Sequence, residues 1–358
     1  MVKRVTPKEF GKVVAKPGTK EQFLVVVGEL PTGSEVGIPV TVVSGKQDGP
    51  RVYVGSGSHT EETSSIDAVK RFAAWIRPDD INGTLILVPL QNPPAWAFRS
   101  TLYPLDAPTS GDVGVGGLTS GDPTGMMTPR VLSALADSIA TNINFAFELR
   151  STHLDSINYP FTSTFFVSNE PDDKKKKRLE LAHKLGNELI RNRPGKPGGV
   201  LWILDSRGAM TTSVEAGEGW RNLEPFPSIN IRAIRNFCKA IGAMKGELEL
   251  PQMQVEYSIL HDVTSNHGGM SHVYVRPGQY VRRGDIVGEV RDMFDNVVDE
   301  LKAPANGIVG RCTLLPVVGT GGRICNIAET DRGDEWERRV VPELERQIGL
   351  SGTPRRRD

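Results

Sequence analysis

Nowhere does the sequence approach 18 consecutive apolar residues, the length at which a helix could span a bilayer. The N-terminal stretch from Met1 to Phe10 has no apolar core of the kind a signal peptide needs. Cysteine is scarce: Cys238, Cys312 and Cys325 are scattered without paired spacing, which argues against a disulfide framework and for a reducing compartment. None of the three stands in a catalytic pattern. Nor is there a surplus of either charge. Lys plus Arg and Asp plus Glu number 43 each in 358 residues, so no global field favours nucleic acid or an anionic membrane. The one basic run, Lys174 to Arg178, reads as the solvated start of a helix. A cytoplasmic protein is expected, with a small-molecule substrate, no nucleic-acid or membrane partner, and self-association left open.

A hydrophobic fraction of 38% is ample for a globular core, and the length suggests two domains. Through the first two thirds, strand-like and helix-like patterns alternate. Phe23 to Val27, Ile38 to Val43, Val52 to Val54, Leu85 to Leu90, Phe145 to Leu149 and Val200 to Leu204 read as strands. Between them, Ile66, Val69, Phe72, Ala73 and Ile76 fall on one helical face, as do Val131, Leu132, Leu135 and Ile139. The alternation predicts an α/β fold, a mixed sheet flanked by helices, in which sites collect at the carboxyl ends of strands.

After about Leu250 the texture changes to short β-like runs punctuated by glycine turns, such as Val273 to Gly278 and Tyr280 to Val290. A small all-β unit is expected there. Lys302 invites comparison with the lysine of a biotin or lipoate carrier. It abuts Ala303-Pro304, however, leaving no room for the strand that such carriers place between the two. The predicted organisation is an α/β domain over 1–250, a β-sandwich or barrel-like domain over 251–330 and a charged tail over 331–358, with a short helix in the tail.

The chemistry concentrates at strand ends. His59-Thr60-Glu61-Glu62 follows the strand ending near Ser56, and a His and a carboxylate three residues apart at such a turn can converge on one zinc ion. A turn histidine beside a first-turn glutamate that complements the helix dipole is the plainer reading of that pair. Two further motifs accompany it: His153-Leu-Asp-Ser after another apolar strand, and Ser213-Val-Glu215-Ala-Gly217 beyond a third. His183 reads as a surface histidine, and His261, His267 and His272 as turn residues near the domain junction.

Taken in order, these motifs resemble the succinylglutamate desuccinylase and aspartoacylase family of zinc carboxypeptidase-like deacylases. The resemblance runs from Pro39 to Gly45 through the His59 turn, Pro89-Leu-Gln-Asn92-Pro93-Pro94, Gly121 to Arg130, His153 to Ser156 and Val214 to Gly217, and closes with the β domain. It implies that His59, Glu62 and His153 hold Zn²⁺ with a fourth position for water, the catalytic arrangement of that metal. It further implies that Glu215 is the general base, and that Asn92 lines the cleft.

Two departures stand out. Glu148-Leu149-Arg150 looks like the family's strand-ending Asp-Leu-His with arginine in place of histidine; the preferred register makes His153 the third ligand instead. The family's Asn-Arg pair, which grips a substrate carboxylate, is replaced by a glycine-rich stretch from Gly111 to Gly121. Arg99 and Arg150 are the candidates for that role or for binding the oxyanion. Without an assured arginine, the expected substrate lacks a free α-carboxylate. The function read from the sequence is therefore a zinc-dependent amide hydrolase that removes an acyl group from a small amine or amino-acid derivative. A catalytically silent member that binds a small molecule or partner is the alternative, and a carboxypeptidase-like peptidase a third reading.

Overall fold

The computed structural model describes residues 1–106, 114–152, 155–164 and 170–340. Among the described residues, nine strands precede residue 250: β1 (Val2–Val5), β2 (Thr19–Glu29), β3 (Glu35–Ser44), β4 (Arg51–Ser56), β5 (Thr84–Val88), β6 (Phe145–Arg150), β7 (Ser156–Ser163), β8 (Leu189–Arg191) and β9 (Met210–Glu218). Nine more follow: β10 (Val255–Tyr257), β11 (Leu260–Thr264), β12 (Gly269–Val273), β13 (Tyr280–Val281), β14 (Ile286–Arg291), β15 (Val297–Lys302), β16 (Gly307–Thr313), β17 (Val317–Val318) and β18 (Arg323–Glu329). The large sheet runs β1-β2-β3-β5-β4-β6-β9-β7-β16-β18-β11. Its centre, β5-β4-β6-β9, is parallel, so the carboxyl ends of β4, β6 and β9 open on one edge.

Helices cover both faces of that centre, as the alternating pattern requires. On one side Val131, Leu132, Leu135 and Ile139 pack with Val200, Leu201 and Leu204 against Ile38, Tyr53 and Ile86. On the other, Val69 and Phe72 of the helix Thr63–Trp75, Ile76 just beyond it, and Ile234 and Phe237 of the helix Phe226–Ala240 pack on Val52, Val54, Leu85 and Phe147. The fold class read from the sequence therefore holds. One strand assignment does not: Val200 to Leu204 lie in the helix Gly199–Ser206. A five-residue apolar run carries no period of its own, and here Gly198 at φ 124° and Gly199 at φ 77° turn the chain into a buried helix. The strand that carries Glu215 is β9, which follows that helix.

The change of texture near residue 250 coincides with a change to antiparallel pairing and with a second, four-stranded sheet, β15-β14-β12-β17. Hydrogen bonding nevertheless crosses the boundary, since β16 pairs with β7 through Arg311–Asn158, Cys312–Ile157 and Thr313–Ser156. We propose 1–250 and 251–330 as two units that share one sheet. The start of the tail forms the expected helix, Gly333–Arg339. Its Trp336 is fully buried edge-on to Tyr159 of β7, with ring centroids 5.5 Å apart, and donates Nε1–H to the Gly278 carbonyl at 2.8 Å.

Candidate active site

β4 ends at Ser56, and Gly57, at φ 67°, makes a left-handed turn that a residue with a side chain adopts only under strain. The amides of Gln91 and Asn92 donate to the Ser56 and Gly57 carbonyls at 3.0 Å each, so the exit of β5 holds this turn in place. Asn92 is fully buried and faces away from the cleft: its Oδ1 accepts from the Ala95 amide at 3.4 Å and its Nδ2 donates to the Ser58 carbonyl at 3.3 Å. It acts as a helix cap and as a tie on the residue before His59.

Glu62 occupies the N-cap of the helix Thr63–Trp75, yet its side chain caps no backbone amide. Its Oε1 lies 3.2 Å from His59 Nδ1. Into this pair comes Arg150, the last residue of β6, with Nη2 2.8 Å from His59 Nδ1 and Nε 3.6 Å from Glu62 Oε1. The Arg150 guanidinium offers only donors and the Glu62 carboxylate only acceptors, so Nδ1 hydrogen-bonds one of them at a time: it accepts from Arg150 when the imidazole proton is on Nε2 and donates to Glu62 when it is on Nδ1. Nε2 points toward Gly116, where an added Cβ would lie 3.3 Å away.

Glu148 precedes Arg150 by two residues and hence shares its face of the strand. Burial raises its carboxyl above the ordinary range, Arg150 works the other way, and Glu62 adds to the rise. For Arg150, burial opposes the charge, but Glu62, Glu148, Glu215 and Glu61 outweigh it and hold the guanidinium above its ordinary value. Glu215 lies directly opposite Arg150 in the β6–β9 ladder. Its two oxygens face Asn158 Nδ2 at 3.2 Å and Arg191 Nη2 at 3.5 Å.

These groups line one cleft of about 480 Å³. Six cations, Arg150, Arg191, Arg193, Lys196, Arg311 and Arg323, face three carboxylates, Glu62, Glu148 and Glu215. Arg191 lies over the Phe161 ring at 4.7 Å, Arg311 reaches Asp155 at 3.0 Å, and Arg323 reaches Asp262 at 3.2 Å. Arg193 is half-buried and makes no hydrogen bond or ion pair with any described residue. Burial, and after it the neighbouring Arg191, lower its pKa, while Tyr257, Glu215 and Asp262 act the other way. The lining supplies cations that the glycine-rich segment lacks. Sequence inspection weighed only the segment where relatives place their arginine, whereas the cations come from β8, its following loop, β16 and β18.

The positions expected from the sequence divide clearly. His59, Glu62, Arg150 and Glu215 converge on the cleft; Asn92 lies behind it. Arg99 is exposed, at φ 50°, and does not line the cleft. His153 lies outside the described residues. His183 bonds Gln254 and Glu256 at the surface, and neither His267 nor His272 reaches the cleft. Among the described residues no group of three His, Cys, Asp or Glu side chains is placed to hold a metal ion. His59 and Glu62 have the Arg150 guanidinium beside them, and the described residues by themselves do not make up a three-ligand zinc centre.

Residues 48–104, which contain the His59 turn and Asn92, match the model of the succinylglutamate desuccinylase/aspartoacylase catalytic domain. Over 305 residues, 82% of this chain and 85% of the relative, the sequence is 26% identical to the N-alpha-acetyl-L-2,4-diaminobutyric acid deacetylase of Halomonas elongata. The fold is similar to that of the product-bound ectoine utilization protein EutE (DoeB) from Ruegeria pomeroyi, with a TM-score of 0.79 and 18% identity across 89% of this chain and 98% of that one. It is also similar to a succinylglutamate desuccinylase/aspartoacylase from Rhodobacter sphaeroides, with a TM-score of 0.78 and 20% identity across 88% and 96% of the two chains. The strand-end site, the mixed sheet and these likenesses together make the chain similar in fold, and over residues 48–104 in sequence, to the succinylglutamate desuccinylase/aspartoacylase family.

Proposed function

We propose that the chain is a deacylase that hydrolyses the amide of a small N-acylated amino-acid derivative carrying a free carboxylate. The observation that carries this reading is the pairing of Glu215 with a surplus of cations in one cleft, above all Arg193, which makes no ion pair or hydrogen bond with a described residue. An unpaired guanidinium in a half-buried cleft is costly, and a bidentate carboxylate relieves that cost. The relative from Halomonas elongata is named for removing an acetyl group from an amino-acid amine, which supports the same class of substrate.

In this reading Glu215 takes a proton from water as the oxygen adds to the amide carbonyl. Arg150, across the ladder from it, faces the developing oxyanion. Glu215 then returns the proton to the nitrogen as the C–N bond breaks, leaving a free acid and an amine. Zinc dependence, which the family resemblance implies, would require His153 to join His59 and Glu62 and Arg150 to withdraw from both. Binding without turnover is the second reading, favoured by the same placement of Arg150.

The test is a panel of N-acetylated and N-succinylated amino acids and their methyl esters, followed by amine release and by titration calorimetry. Free acids should be cleaved with kcat/KM at least about tenfold above their esters, since a charge-assisted hydrogen bond is worth about 1.5–3 kcal/mol. Arg193→Ala should erase that preference. Binding of the acids without hydrolysis would establish the second reading, and preference for the esters would refute the role of Arg193.

A further inference from the structure

We propose that the centre formed by His59, Glu62 and Arg150 works without a divalent metal, the Arg150 guanidinium taking the place of the ion. The proposal concerns how the centre is built and does not depend on which substrate it serves. Three features of the structure carry it.

The first is the donor atoms. A metal held by this turn would need the lone pair of His59 Nδ1 and an oxygen of Glu62, which lie 3.2 Å apart. Arg150 addresses both, at 2.8 Å to Nδ1 and 3.6 Å to Oε1. The second is position. Arg150 ends β6 in register with Glu215 on β9, and Leu149 before it pairs with Ser56 at the start of the His59 turn. The ladder thus aims residue 150 at the pair, and among the described residues its guanidinium reaches both members. The third is charge. Glu61 and Glu62 are almost fully buried and Glu148 nearly so; with Glu215 they form an acidic surround for the Arg150 guanidinium. A guanidinium supplies positive charge permanently, because it does not deprotonate in proteins, and a dication beside it would meet like charge. The Arg150 side chain still keeps 27% of its surface open, enough to present an N–H to a carbonyl in the cleft.

The experiment measures zinc in the purified full-length protein after saturation with ZnCl₂ and desalting, with no reference to turnover. The wild type should retain well under a tenth of an equivalent, while Arg150→His, which supplies a third nitrogen at the position the ladder aims, should retain about one equivalent. Circular dichroism of both proteins establishes that each is folded. About one equivalent of zinc in the wild type, released by His153→Ala, would overturn the proposal. Failure of folded Arg150→His to gain zinc would overturn it as well, since residue 150 would then not stand where a metal belongs. A failed substrate panel beside this zinc pattern would sink the proposed activity and leave the metal-free centre in place.

Discussion

Glu215 carries the clearest prediction at the scale of single residues. Glu215→Gln keeps the size of the side chain and an oxygen to accept from Asn158 Nδ2, but an amide cannot take the proton of water. Turnover on the best substrate should fall by about 10²- to 10⁴-fold, the usual worth of a general base, with calorimetric affinity for that substrate little changed. Loss of affinity with unchanged kcat would reassign Glu215 to binding. His59, Glu62 and Glu215 were legible in the sequence because each follows or ends an apolar strand in a short motif with metal or base chemistry. Arg150 was legible as a departure, an arginine where relatives carry histidine, but its contact with His59 Nδ1 was not. Which residue faces the turn that ends a neighbouring strand is set by ladder register, and register is a tertiary property. Arg191, Arg193, Arg311 and Arg323 left no signal at all, since isolated arginines in polar loops and short strands read as solvated surface.

At the scale of elements, the cleft depends on two glycine segments packed backbone to backbone. The Gly199 amide donates to the Leu118 carbonyl at 2.9 Å, and a Cβ on Gly198 would come within 2.8 Å of the Gly116 carbonyl oxygen. Gly198 also has φ 124°, which side-chain-bearing residues rarely adopt. Because Gly116 sits against His59 Nε2, displacing it changes the wall of the site as well as the loop. Gly198→Ala should destabilise by about 1–3 kcal/mol from strain, read as a lower urea midpoint. It should also weaken substrate binding beyond what Gly208→Ala does, a glycine of positive φ with open space around it and outside the cleft. Equal effects of the two substitutions would show that only backbone strain matters. The glycine-rich stretch was visible in the sequence as flexibility and space; its described part, from Gly114, instead supplies close packing that only residues without a side chain permit. The same junction explains the misread helix at Gly199–Ser206, whose start is fixed by two glycines of positive φ and not by hydrophobic period.

For the whole molecule, the question is whether residues 1–250 make a site alone. The change of texture near Leu250 is real, yet β7 lies between β9 and β16 in one sheet. β7 carries Asn158, which holds Glu215, and Tyr159, against which Trp336 is buried. Removing everything after residue 250 would leave Ser156–Asn158 of β7 as an edge with unpaired backbone groups, with β8 still paired to Phe161–Ser163, and would expose an apolar face. It would also strip Arg311, Arg323 and Asn326 from the cleft. Burial of a large aromatic such as Trp336 is typically worth about 3–5 kcal/mol against alanine, a large fraction of the about 5–15 kcal/mol that keeps a domain folded. Residues 1–250 expressed alone should therefore aggregate or show no cooperative thermal transition. Trp336→Ala in the full chain should fold with a lowered Tm and with weaker substrate binding, because Tyr159 and its neighbour Asn158 lose their backing. If the 1–250 fragment melts cooperatively and binds the same ligands with full-length affinity, the C-terminal unit is an appendage to the cleft and the shared sheet has no functional consequence.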